Sequence, residues 1–360
     1  MKLRDCIHSH PTRAVLGGRG GSRGKSQGGA ALIVALLIFA LCTALIVAMK
    51  SDFDLYYQRG ANAAISEQIY AYLRGAEQLG TIALQQDYDN DLLRPNQVQQ
   101  DDLSEIWAQP ALPQSLPEGG WWKGNLVDLQ GRFNLNTLNK PPRAQGQNQG
   151  MVGYDVAQKQ FIRLLTSIEV SRQDAQLITE SIGDWLDADN QPRDNGAEDD
   201  YYSVQIPAYR AANQLMTSVS ELRLVAYVTP EIYSALTQLG ALTVLPSDNT
   251  TINLYTASAA VLRTLNDENN LTPLDEIEAA ELLAYIRSEE SGPTSKQDVL
   301  DHAVLAGKTV TELSGQLGIS SSYFLLNAEA KVADRTLRLY SVLHRNGRLI
   351  EVIGRASGDL

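Results

Sequence analysis

From Ala30 to Met49 the chain carries no charged side chain, and Thr43 is the one clearly polar residue. As a helix rising 1.5 Å per residue, this run reaches about 30 Å, the thickness of a bilayer's hydrocarbon core. It can span a membrane. The segment before it, residues 1–29, holds Lys2, Arg4, Arg13, Arg19, Arg23 and Lys25 against Asp5. Removing that surplus of five positive charges from the net charge of -12 leaves -17 on the rest of the chain. Basic residues resist translocation, so the leader is expected in the cytoplasm and the acidic bulk across the membrane.

A removable secretory signal has an apolar core of about 7–15 residues and a small-x-small site at its far end. This run is longer, although Cys42 to Ala44 would be a passable site. The residues that follow contain no proline as far as Asp87. Ile65, Ile69, Tyr72, Leu73, Ala76, Leu79 and Leu84 recur at helical intervals. One unbroken helix from Ala30 to about Gln86 is predicted, half apolar and half amphipathic.

A glycine immediately before such a run resembles a type IV pilin-like precursor. The resemblance implies cleavage between Gly29 and Ala30 by a prepilin peptidase, with Ala30 as the methylated N-terminus of the mature chain. It also exposes a departure. Major pilins carry a glutamate at the fifth mature position, whose carboxylate is costly in lipid unless it meets a neighbour's N-terminal ammonium. Here that position is Val34. A subunit without the acid cannot pair with one above it, which suits the tip of a fibre.

Further segments narrow the resemblance. "VDLQGRFNLNTL" (127–138), "DWLDADNQPRDNGAEDDYY" (184–202), "INLYTASAAVLRTL" (252–265) and "SSYFLLNAEAKVADRTLRLYSVLHRNG" (321–347) occur in the order found in the general secretion pathway protein K family, large minor pseudopilins of type II secretion systems. Membership implies an α+β fold: a pilin-like long N-terminal helix packed on an antiparallel sheet, with a large inserted helical domain of SAM or helix-hairpin-helix-like character. It implies no enzymatic activity, bound calcium, an inner-membrane location with periplasmic bulk, and minor pseudopilins I, J and H as partners. The organisation expected is a leader over 1–29, a membrane segment over 30–50, pilin-like residues 51–140, the insertion over 141–320 and C-terminal strands over 321–360.

The residues support this layout by their own patterns. A proline-bearing linker leads into a β segment around "WWKGNLVDLQGRFNLN", where Trp121 and Trp122 are expected to pack and Asn134 and Asn136 to make turn or strand-end hydrogen bonds. Phe161, Leu164, Leu165 and Ile168 share one helical face; Ala175, Ile178, Ile182 and Trp185 share another. Ser218 with Glu221 forms a capping box, and Thr229-Pro230 and Thr272-Pro273 each place an N-cap before proline. From Ser321 the pattern alternates, with Arg345 to Gly347 as a hairpin signal. Strands on both sides of a helical block imply an insertion into one sheet.

The sharpest chemical feature is the acidic segment from Asp184 to Asp200. With Asp187 as first position of a twelve-residue loop, Asp189 is third, Gln191 fifth and Glu198 twelfth, as in an EF-hand, but Pro192 stands where an EF-hand needs glycine. Carboxylates this dense repel one another, and a divalent cation relieves the repulsion; a solvated loop with aspartates as turn formers and caps is the other reading. The family resemblance favours calcium, with Asp187, Asp189, Glu198, Asp199 and Asp200 as candidate ligands.

Two other classes are weighed against this one: a membrane-anchored calcium-dependent hydrolase and a membrane-tethered helix-hairpin-helix DNA-binding protein. The segment 252–265 resembles a helix-hairpin-helix unit, but its acidic surroundings lack the Lys and Arg a phosphate binder needs. An acidic chain repels nucleic acid, which is not expected as a partner. "GGRGGSRGKS" (17–26) imitates a phosphate loop with Arg19 at the first required glycine and no strand before it. His302 and His344 lie far apart in sequence, and Cys6 and Cys42 offer no disulfide framework to the acidic bulk.

Overall fold

The computed structural model of the protein describes residues 28–94, 98–109, 111–117, 119–140, 153–288 and 290–358. The leader over residues 1–27, with its phosphate-loop-like segment, lies outside them. Helix α1 runs unbroken from Gly28 to Asp91, beyond both ends of the predicted span. Residues 28–63 of it belong to one unit, and the described residues from 64 onward to another. In the first, the apolar side chains Leu32, Leu36, Phe39 and Val47 are all exposed, as a lipid-facing surface requires. The Thr43 hydroxyl donates to the Phe39 carbonyl at 2.7 Å, so the one polar side chain of the run from Ala30 to Met49 is satisfied within the helix itself.

In the second unit the strands, in chain order, are β1 (Gln114–Ser115), β2 (Trp121–Asp128), β3 (Phe133–Asn134), β4 (Leu242–Thr243), β5 (Ile252–Asn253), β6 (Leu317–Gly318), β7 (Tyr323–Val332), β8 (Arg335–Asn346) and β9 (Leu349–Ser357). Five of them form an antiparallel sheet in the order β1-β2-β7-β8-β9. Alternate residues of β7, from Phe324 through Leu326, Ala328 and Ala330 to Val332, are buried against Ile69, Leu73, Ala76 and Leu84 of α1. A period of two on the strand thus meets a period of 3.6 on the helix. Leu79 departs from the predicted face at 51% exposure, while Glu77 is fully buried. Its carboxylate accepts from Ser341 Oγ at 2.7 Å, Arg355 Nε at 2.7 Å and Arg74 Nη1 at 2.6 Å. Burial alone would raise the pKa of Glu77, but those donors outweigh it and hold the carboxyl below its ordinary value. The β8–β9 hairpin pairs Asn346 with Leu349 across the two-residue loop that the sequence signals, with Gly347 at φ +59° in the left-handed region.

Between β2 and β7 the chain leaves the sheet and builds a second core. Its helices are α2 (Val156–Ser167), α3 (Arg172–Leu186), α4 (Asp199–Tyr202), α5 (Pro230–Gln238), α6 (Ala259–Leu262), α7 (Glu276–Ile286), α8 (Lys296–Leu300) and α9 (Thr311–Ser314), with parallel pairs β3-β4 and β5-β6. The two predicted apolar faces of α2 and α3 line this core, with Ile168 half-buried at its margin. Phe133, Leu135 and Leu138 belong to it too, so the helical core begins at β3, inside the segment 51–140. Arg163 is fully buried and donates to the carbonyls of Thr264 (2.8 Å), Asp267 (2.6 Å) and Asn270 (2.9 Å), closing the turn after α6.

Two of the three predicted helix starts hold. Ser218 and Glu221 form a capping box on a 3-10 turn over Val219–Leu224, and Thr229 caps α5 with Pro230 in its first turn. Thr272 caps nothing. The N-cap of α7 is Asp275, in a capping box with Glu278, and reciprocal bonds between Leu274 and Arg263 hold the residue before it outside the helix.

The two chain crossings between sheet and insertion meet at one buried carboxylate. Asp128, the last residue of β2, accepts from Gln130 N (2.7 Å), Asn253 Nδ2 (3.0 Å), Ser321 Oγ (2.6 Å) and Thr256 Oγ1. Asn253 Nδ2 also reaches the Asp101 carbonyl at 2.9 Å, and Ser321 N donates to Asp101 Oδ2 at 2.6 Å. Burial raises the Asp128 pKa. Asp128→Ala would strand several buried donors, each costing about 1–3 kcal/mol. A loss of about 3 kcal/mol or more is expected from urea unfolding of the full chain in detergent, and a smaller loss for Asp128→Asn, which keeps one acceptor.

Candidate metal centre in the acidic loop

Helix α3 delivers the loop. Ser171 caps its start by accepting from Asp174 N, and Leu186 ends it with Asp187 as C-cap in extended geometry. The chain then turns through Asp189, whose Oδ1 accepts from Gln191 N at 2.8 Å, and returns to Glu198 and the single turn of α4. Beneath the loop lies an aromatic cluster. Tyr202 packs against Trp185 at 5.3 Å and Tyr209 at 5.2 Å between ring centroids, and its hydroxyl accepts from Ala226 N at 3.2 Å.

Three of the five candidate ligands come together. Asp187, Asp189 and Glu198 offer carboxylate oxygens within 4.8 Å of one another, the first, third and twelfth places of the counted loop. The other two do not join them. Asp199 accepts from Ala211 N at 3.1 Å, bracing the next loop, and Asp200 is exposed. The departure from an EF-hand is visible in the backbone: Pro192 sits at the sixth place, and only the four residues of α4 follow Glu198.

The electrostatics ask for a cation. Glu198 is 4% exposed, yet among the described residues neither of its oxygens has a hydrogen-bond partner, and Asp187 Oδ1 is likewise buried without one. Burial, then Asp184 and Asp187, push the Glu198 pKa up to about 7. Burial raises Asp184 to about 7 and also raises Asp187, against the pull of Arg193. Arg193 contacts Asp184 at 3.2 Å and Asp187 at 3.1 Å, leaving Glu198 without an ion-pair partner among the described residues. A hard divalent ion fits this all-oxygen donor set.

Sequence reasoning placed Asp184 and Gly196 in the acidic segment without giving either a supporting role, and passed over Asn213. Asp184 is fully buried and accepts from Arg193 N; the signal was its place in the acidic run. A side chain on Gly196 would meet the Asp184 carboxylate at 1.8 Å, so only glycine lets the loop close. Asn213, at φ +46°, donates from Nδ2 to the Asp189 carbonyl at 3.0 Å, and its buried Oδ1 has no partner among the described residues. Nothing near Asn213 in sequence marks it.

The other singled-out residues lie elsewhere. Ile252, Leu254, Tyr255, Val261, Leu262 and Leu265 of the helix-hairpin-helix-like segment are core side chains of the insertion. Asn134 and Asn136 make their strand-end bond at 3.2 Å and add long-range ones, from Asn134 to Ser247 and from Asn136 to Met216 and Leu245. Trp122 packs on the sheet core, His302 stacks on Tyr285 and His344 on Tyr323. Gly29, Ala30 and Val34 lie on α1, with Val34 56% exposed.

An apolar helix continued onto an antiparallel sheet, with a helical domain inserted between adjacent strands, defines a membrane-anchored pilin-like protein. A family model described as type II secretion system protein K matches residues 131–247. Type II secretion system protein K of Pseudomonas aeruginosa is 32% identical over 93% of this chain and 94% of its own length; that of Aeromonas hydrophila is 32% identical over 89% and 94%. A chain of the crystallised GspK-GspI-GspJ complex from enterotoxigenic Escherichia coli has the same fold, with a TM-score of 0.69 at 24% identity, over 84% of this chain and 100% of that one. The chain belongs to the type II secretion system protein K family and is a minor pseudopilin, a structural component of protein secretion.

Between about pH 4.5 and 7 the folded chain binds more protons at Glu198 than the unfolded chain, so without metal its stability falls as pH rises through that window. Thermal unfolding of the full chain in detergent with chelator is expected to show a lower midpoint at pH 8 than at pH 5. Glu198→Gln should flatten that fall.

Proposed function

We propose that this minor pseudopilin initiates and caps the pseudopilus from its tip, and has no catalytic role. The observation that carries the reading is the acid-free run from Ala30 to Met49 with Val34 at the fifth place after Gly29. A glutamate there would seek an ammonium above it; valine makes no such demand, so the chain leads the bundle and other subunits enter below. Small residues such as Ala31, Ala35 and Ala40 let neighbouring helices approach closely in lipid. Minor pseudopilins I and J are the partners, as in the complex crystallised from enterotoxigenic Escherichia coli, with H joining from below.

Processing and placement follow from the same segment. Prepilin peptidase cuts between Gly29 and Ala30, Ala30 is methylated, and the chain crosses the inner membrane once with its acidic bulk in the periplasm. Asp187, Asp189 and Glu198 would hold calcium there, and the ion would neutralise a loop that its own arginine leaves short of positive charge. Their role is structural: to fix the return from α3 to α4.

Mass analysis of the membrane-extracted protein tests the reading at its root. With the peptidase present, a methylated chain beginning at Ala30 is expected; without it, the leader stays attached. A mature chain beginning after Ala44 would mean an ordinary exported protein. Co-expression with I and J should yield a three-protein complex in calcium, and calcium should raise the thermal midpoint of the chain by more than that of Glu198→Gln.

A further inference from the structure

A second group of carboxylates lies where the end of α1, the segment 98–109 and the end of β8 meet. Asp87, Asp101 and Glu105 offer oxygens within 4.8 Å of one another. Three oxygens so spaced have a common centre at most about 2.8 Å from each, a few tenths of an ångström from calcium's usual contact distance. We propose that Asp87, Asp101 and Glu105 form a second divalent-cation site, for a hard ion of the calcium class, which clamps the end of α1 to the sheet.

The charges present leave room for it. Arg345 donates from Nη1 to Asp87 Oδ2 at 2.9 Å and from Nη2 to Asp101 Oδ2, engaging one oxygen of each. The other oxygen of Asp101, Oδ1, belongs to a fully buried residue and has no hydrogen-bond partner among the described residues. That is the atom a cation would take. Arg94 reaches Glu105 Oε1 at 2.6 Å and Asp91 Oδ1 at 3.0 Å. Asp102 adds a further negative charge beside Glu105 and Asp91. Five carboxylates thus share the guanidinium groups of Arg345 and Arg94, with Arg287 acting on Asp102 alone among them. Burial, then Asp87, pushes Glu105 up to about 8, and burial raises Asp101 to about 7, as expected of a cluster short of positive charge.

The site would act on the fold's main joint. Asp101 also accepts from Ser321 N, and Arg345 Nη2 also donates to the Ser321 carbonyl at 2.7 Å, so the ion would be one residue removed from the Asp128 junction. Nothing here depends on the acidic loop, which lies in the insertion.

Trp107 supplies a reporter, because its Nε1 donates to Glu105 Oε2 at 2.8 Å and its indole can excite terbium bound there. The experiment uses the full chain in detergent, stripped with chelator, in the Glu198→Gln background that disables the acidic loop. Calorimetry with calcium should find one equivalent bound, weakened at least tenfold by Asp101→Asn and, should that variant fail to fold by circular dichroism, by Glu105→Gln. Terbium emission excited through tryptophan should be lost on Trp107→Phe while calcium binding persists. Absence of calcium binding in the Glu198→Gln chain would mean that protons neutralise the cluster, and the site would not exist. Binding unchanged by Asp101→Asn and Glu105→Gln, or terbium emission unchanged by Trp107→Phe, would equally overturn it.

Discussion

The fold depends on one buried carboxylate. For the sheet to close, β2 and β7 must be neighbours, although the whole helical insertion lies between them in sequence. Asp128 makes this possible by gathering donors from the exit of β2, from β5 and its following turn, and from the entry to β7. A carboxylate this deep is costly unless every oxygen is used. Used fully, it fixes the insertion against the sheet in one arrangement.

The long helix meets a different constraint. Its first part must satisfy lipid, where every backbone group has to bond within the segment and side chains must be apolar. Its last part must satisfy a protein core, where Ile69, Leu73, Ala76 and Leu84 pack and Glu77 bonds across to Ser341 and Arg355. A continuous helix answers both demands because its hydrogen bonds are local and only the side chains change with the surroundings.

Patterned features were legible in the sequence: the apolar run, the α2 and α3 faces, the caps at Ser218 and Thr229, and the hairpin at Gly347. Each is set by neighbours within a few residues. The cap at Thr272 failed for the complementary reason, since bonds between Arg263 and Leu274 keep that segment out of the helix against its local preference. The acidic loop was legible in part. Counting positions found Asp187, Asp189 and Glu198, but Asn213 enters from a distant loop and leaves no local mark. Most instructive are the separated segments that carried the family resemblance. "VDLQGRFNLNTL", "INLYTASAAVLRTL" and "SSYFLLNAEAK" supply Asp128, Asn253 and Ser321, and their meeting at one junction is a fact of three dimensions that no window of sequence contains.

Function then turns on what the membrane helix lacks. In the proposed tip position the insertion and sheet provide bulk, and the acid-free run makes no demand on a subunit above. The most direct measurement is the position of this chain within isolated pseudopili, read by a gold label on the exposed Gly358 just after β9 in electron micrographs. One label at one end of each fibre is expected. Labels distributed along the shaft, with subunits on both sides, would contradict the account.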